Sequence, residues 1–199
     1  MFSNRPCRHP DCRRHAVERA DTCFSHLEAP TEFARQWADE LSAEGAFSSL
    51  SLGRFPFSGR DWSGKVFDGC SFMGSDWTGM KLDGARFHHC FFDFSQWKDC
   101  SAKGVTLLFC SFSGGRLQEV NFAGSDLLHV NFNALEAREV VFSESDLYFS
   151  RFIGSQQESV KYVDCNLKKT HFSASRLERV EFKYSNDEEA EFDGAVRIP

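Results

Sequence analysis

No apolar run in the 199-residue chain approaches the roughly 18 residues that a membrane-spanning helix needs. Its opening, MFSNRPCRHPDC, lacks the apolar stretch of a secretory leader. It also lacks a glycine-rich phosphate loop, paired histidines at general-base spacing and a nucleophile elbow. A membrane protein, a secreted protein and an enzyme with a small-molecule substrate are therefore not expected, and the expected location is the cytoplasm. Strong charge is missing as well. A net charge of -6 argues against general nucleic-acid binding. Eight cysteines without a leader read as reduced thiols, serving as metal ligands or small core residues.

What is abundant is phenylalanine, with 22 copies, and so many copies of one flat ring suggest a repeat. Every fifth residue from Leu52 is large: Phe57, Trp62, Phe67, Phe72, Trp77, Leu82, Phe87, Phe92 and Trp97 follow. The frame continues to Phe192 without slipping, interrupted by Ala102, Ala137, Gln157 and Asp187. Neither a helix nor a simple strand has a period of five. Two residues before each large position sits a small one, such as Ser75, Ala85, Val105 or Ser125, so both point to one side of an extended backbone. Phe72, Phe92, Phe112, Phe132, Phe152, Phe172 and Phe192 recur at a longer interval of four pentapeptides, which sets the coil. Coils stacked at about 4.8 Å give about seven coils and a rod of about 35 Å. Glycines two places after a large residue, Gly64 to Gly84 and Gly104 to Gly124 among them, mark corners.

This pattern resembles the pentapeptide-repeat proteins, whose repeat is often written A(D/N)Lxx. GSDWTGMKLDGARF and FAGSDLLHVNF carry the resemblance. It implies an all-β solenoid, a right-handed quadrilateral (pentapeptide-repeat) β-helix, over residues 47–199. Leu135 and Ala137 exchange a small and a large position, and compensate in volume. Gln157 falls on an inward position with no local partner in view, and reads as a tolerated packing defect. Cys70, Cys90 and Cys110 lie on the small inward series, so they read as core rather than as a metal or redox row. His88 and His89 beside Cys90 are not taken as ligands for the same reason.

Residues 1–28 stand outside the frame. Cys7, Cys12, Cys23 and His26 form a CxxxxC…CxxH set that suits one tetrahedral, structural zinc ion. His9 and His15 are spare candidates for the fourth ligand. So short a segment lacks an adequate core, and metal binding would supply its folding energy. The spacing resembles the small zinc knuckle ahead of some phage HNH nucleases, which implies metal binding here; no HNH catalytic segment follows. Residues 29–46 predict an amphipathic capping helix. Thr31 is the expected N-cap, Phe33, Trp37 and Leu41 form the apolar stripe, and Gly45 ends it.

One corner departs from the polar pattern. Its columns read His88, Leu108, Leu128, Tyr148, Lys168 and His89, Phe109, His129, Phe149, Lys169, with Phe91 just around the corner. Leu108, Phe109, Leu128, His129, Tyr148 and Phe149 thus form an outward apolar patch, costly unless covered. The expected function is a non-enzymatic scaffold or adaptor that binds a protein partner, or a second copy, through this corner. No direct nucleic-acid contact is expected. Some pentapeptide-repeat proteins bind DNA gyrase by imitating duplex DNA and so protect it from quinolone-like poisons. The resemblance therefore also implies, as an alternative, a DNA-mimicking regulator of gyrase or another type II topoisomerase. Three departures weigh on it. Residues 61–199 hold 21 acidic and 15 basic side chains, and 21 − 15 leaves a modest, mixed net charge of -6. The frame has no inserted loop, and AVRIP leaves no dimerising C-terminal helix.

Overall fold

A computed structural model of the chain describes residues 5–199. The first four residues of the expected 1–28 segment lie outside the described residues. From Ala46 onward the backbone obeys the five-residue frame. Each pentapeptide turns its large residue inward between two outward ones, as at Asp76–Thr78, and bends at a corner two residues later. With so few residues between corners, every strand is three residues long.

One sheet stacks Ala46–Ser48, Val66–Asp68, Arg86–His88, Thr106–Leu108 and Asp126–Leu128. A second stacks eight strands, from Pro56–Ser58 to Val196–Ile198. All pairs are parallel and match one coil to the next, Ala46 with Val66 and Trp77 with Trp97. Rows of single bridges through Ser71, Phe91 and Ser111, and through Lys81, Ser101 and Asn121, supply the other two faces. The result is a four-sided, all-β parallel solenoid of about eight turns. That exceeds the expected seven because both the entry strand Ala46–Ser48 and the exit strand Val196–Ile198 join the ladders.

Stacked rings fill the interior. Neighbours from Phe72 to Phe192 lie between 4.6 and 5.3 Å apart, centroid to centroid, and nearly coplanar. A parallel column runs Phe122, Phe142, Tyr162, Phe182. Offset stacks of this kind add about 0.5–1.5 kcal/mol per pair beyond the area they bury. Leu135 and Ala137 are both buried. Gly115 of the preceding coil lies against Leu135, but what excludes a Cβ there is the backbone, with the Phe112 carbonyl oxygen at 2.9 Å.

Gln157 is no defect. It points inward and is paired: Tyr162 donates its hydroxyl to Gln157 Oε1 at 3.0 Å, and Gln157 Nε2 donates to Ser155 Oγ at 3.0 Å. Ser155 meets Ser175 Oγ at 3.0 Å, and Ser175 donates on to the Phe152 carbonyl. The amide is thereby satisfied inside an apolar tube.

The two ends close differently. At the start, the helix spans Pro30–Ala43 and buries Ala34, Trp37, Ala38 and Leu41, while Phe33 and Phe24 lie against Phe55 of the first coil. Thr31 is not its N-cap. Pro30 takes the first helical position, where its fixed φ and missing N–H cost nothing, and Ala29 precedes it. Gly45 is not its terminator either: Glu44 is already extended, and the Gly45 carbonyl accepts the Val66 N–H as the ladder begins. At the far end Arg197 takes the inward register opposite Leu177, and its guanidinium lies 4.0 Å from the Phe192 ring centroid.

Candidate functional site

Two places carry chemistry that the solenoid itself does not require. The first is built by residues 5–28. A bridge between Pro6 and His15 holds Cys7 and Cys12 on one loop, and a single 3-10 turn, Phe24–His26, follows Cys23 directly. Cys7, Cys12, Cys23 and His26 bring their ligand atoms within 4.8 Å of one another. Cys7 Sγ lies 3.4 Å from His26 Nδ1, Cys23 Sγ lies 3.5 Å from the same nitrogen, and the Cys12 and Cys23 sulfurs are 3.9 Å apart. A tetrahedral ion with Zn–S of about 2.3 Å and Zn–N of about 2.0–2.1 Å has edges of about 3.8 Å between sulfurs and about 3.6 Å from sulfur to nitrogen. The donor set therefore fits such a metal in kind and in spacing.

The cluster is also poised electrostatically. Burial works to raise the Cys7 thiol, but hydrogen bonds from His26, the Cys23 and His9 backbone and Cys12 outweigh it and bring the group down to about 6. Cys23 moves the opposite way, raised by burial and by its two cysteine neighbours. A lowered Cys7 beside a raised Cys23 leaves both a ready ligand and a proton for an incoming metal to displace. Of the spare histidines, His9 stacks on the His26 ring at 4.0 Å and His15 is exposed. Neither belongs to the four-residue cluster. The segment docks on the solenoid through the Glu18 N–H, which donates to the Ser51 carbonyl at 2.7 Å, and through Arg19 over the Trp37 ring.

The second place is the aromatic corner. His89, Phe109, His129 and Phe149 stack coil on coil, at 5.6, 4.9 and 5.2 Å between centroids, and Lys169 Nζ sits 4.6 Å from the Phe149 ring. Tyr148 meets Phe149 edge-on at 4.8 Å, which leaves Phe149 37% exposed against 55% for Phe109. His129 is exposed, whereas Leu108, Leu128 and Tyr148 are half-buried; Phe91 is 38% exposed. All four stacked residues hold a left-handed backbone, with φ between 52° and 58°, as do Ser49 and Gly69 earlier in the same column. That conformation disfavours a side chain, and is imposed by the next coil, whose Leu128 carbonyl accepts the Phe109 N–H at 3.2 Å. His89 Nδ1 faces Asp68 at 3.5 Å. Cys70, Cys90 and Cys110 are buried as core.

Among the described residues no helix is long and apolar enough to cross a membrane. Residues 115–192 match the family model described as a pentapeptide repeat region. No curated protein matches the chain. Among solved structures, a trypsin-treated variant of QnrB1, a plasmid-mediated fluoroquinolone resistance protein, is 21% identical with a TM-score of 0.61, covering 76% of this chain and 81% of its own. A second trypsin-treated QnrB1 variant, also 21% identical, reaches 0.54 over 76% and 82%. These likenesses speak to the fold. The five-residue frame and the turn of four pentapeptides run on from residues 115–192 in both directions, so the solenoid is built on pentapeptide repeats.

Proposed function

We propose that the chain is a non-enzymatic scaffold that binds a protein partner through the corner formed by Leu108, Phe109, Leu128, His129, Tyr148 and Phe149, with Phe91 at its margin. One observation carries this reading. Aromatic side chains occupy left-handed corners where glycine is the unstrained choice, and they remain exposed there. Folding does not require them, so their use lies outside the rod. One structural zinc ion, held by Cys7, Cys12, Cys23 and His26, would supply the folding energy that residues 5–28 lack. Changing Phe109→Asp with Phe149→Asp should leave the β-helix circular dichroism intact and abolish association; association that survives the double change removes the corner from consideration.

A second reading, a regulator of DNA gyrase, draws support from the likeness to a fluoroquinolone resistance protein. Against it stands the mixed charge of the eight-stranded face. Arg116 pairs with Glu136, Arg138 with Glu158 and Arg176 with Glu178, so cations break up any acidic stripe there. A gyrase supercoiling assay, with and without a quinolone, separates the readings. Inhibition or protection at micromolar protein would favour the second, and no effect leaves the scaffold.

A further inference from the structure

The N-terminal end of the molecule holds a groove that neither the aromatic corner nor the metal cluster uses. It runs between the N-terminal segment, which contributes Arg14 and His15, and the adjoining coil face, which contributes Ser51, Arg54, Met73 and Phe94. Two apolar side chains lie open in it: Phe94 is 66% exposed and Met73 39%. Phe94 is the one ring in its column, which otherwise reads Arg54, Gly74, Gly114, Ala134, Gly154, Ala174 and Gly194 along the rod, all with left-handed backbones. The ring is seated on bare backbone, since a Cβ on Gly114 would come within 2.8 Å of it. Arg54 lies over Gly74, its Cγ at ordinary contact distance, 3.5 Å, from where a Cβ would stand. Gly114 thus makes room for the ring, and the Arg54 stem runs along the same strip.

The charge of the groove is one-sided. The chain carries a net -6, yet no residue lining this groove is acidic. Among the described residues no ion pair engages Arg54, and the Arg14 guanidinium donates to the neutral Ser25 hydroxyl at 2.8 Å. Asp93, next to Phe94, is turned to the next coil, where it accepts from the Ser111 hydroxyl and the Ser113 N–H. An apolar floor between uncompensated cations is complementary to a ligand that is both acidic and apolar.

We propose that this groove docks an acidic segment of a partner protein, with one aliphatic or aromatic side chain packed on Phe94 and Met73 and its carboxylates facing Arg14 and Arg54. One wall belongs to the metal-binding segment, Arg14 to Val17 and Cys23 to Phe24, so docking requires that segment to be folded. Metal loading and docking are then linked, each strengthening the other.

The test uses the full, zinc-loaded chain and a fluorescein-labelled peptide of alternating glutamate and leucine, read by anisotropy. Saturable binding is expected, weaker at high salt. Phe94→Gly and Arg54→Glu should each weaken it by about tenfold, the loss typical of an anchoring side chain. Chelation of zinc should remove it, and Phe109→Asp with Phe149→Asp should leave it unchanged. Phe94→Gly is a clean probe, because glycine suits the left-handed corner and the denaturation midpoint should not fall. Equal binding of a lysine–leucine peptide, insensitivity to both groove variants, or no saturation at millimolar peptide overturns the proposal. Self-association that the same two variants abolish also overturns it, giving the groove to a second copy.

Discussion

Removing the Tyr162 hydroxyl should destabilise the solenoid far more than deleting one exposed oxygen would. Tyr162→Phe leaves the ring stacked between Phe142 and Phe182 but strips Gln157 Oε1 of its donor at 3.0 Å, in a buried site. An orphaned buried acceptor costs about 1–3 kcal/mol. Gln157→Leu does the reverse, leaving the phenol without an acceptor at a similar cost of about 1–3 kcal/mol. With both changes the polar ends vanish together, so the double variant should lose less than the sum of the single losses by about 1–3 kcal/mol. Urea denaturation followed by the buried tryptophans Trp62, Trp77 and Trp97 measures all four proteins. pH adds an independent reading. Burial raises the Tyr162 phenol well above its ordinary 10.0, so the folded chain keeps a proton that the unfolded chain sheds above that pH. Its contribution is complete below pH 10 and lost as pH rises beyond, at about 1.4 kcal/mol per pH unit. Tyr162→Phe should remove that part of the alkaline slope. Strictly additive single losses, or an unchanged alkaline slope, would refute the network.

Metal analysis of the purified chain should find about one zinc per chain. After chelation Cys7, Cys12 and Cys23 should react quickly with a thiol reagent. The other five of the eight cysteines, all buried, should react only once the chain is unfolded. A metal-free preparation with the same N-terminal structure would rule the site out. Arg197→Ala should lower stability by about 0.5–1 kcal/mol through loss of its contact with the Phe192 ring. Hydrogen exchange should place that loss in the last coil; uniform loss along the rod would contradict a local plug.

The fold was legible because its determinants repeat. A large residue at every fifth place and phenylalanine at every fourth pentapeptide leave one way to wind the chain, and the ladders follow. The grouping of Cys7, Cys12, Cys23 and His26 was legible from spacing, and the structure adds how it assembles: a single 3-10 turn carries His26 back onto Cys23, while His9 stacks against its ring. What escaped notice were exceptions that come in pairs. Gln157 read as a lone departure, and only the geometry of the coil joins its amide to the Tyr162 phenol. Phe94 passed as one more outward residue, because its oddity lies in the glycines a full turn away on either side. Arg197 read as the end of the pattern, whereas a cation is tolerated inward where the tube opens to water.

The corner hydrogen bonds have a consequence for how such a chain can change over generations. Phe94 donates to the Ser113 carbonyl and Phe109 to that of Leu128, and the same offset recurs along the rod. A single inserted codon would put every later ring on the wrong side of the wall, whereas duplication of one complete turn would leave each bond with an equivalent acceptor. Length is therefore heritable in whole steps of about 4.8 Å. The separation between the cysteine–histidine cluster and any feature farther along, the aromatic corner included, can take only the graduations of a ruler.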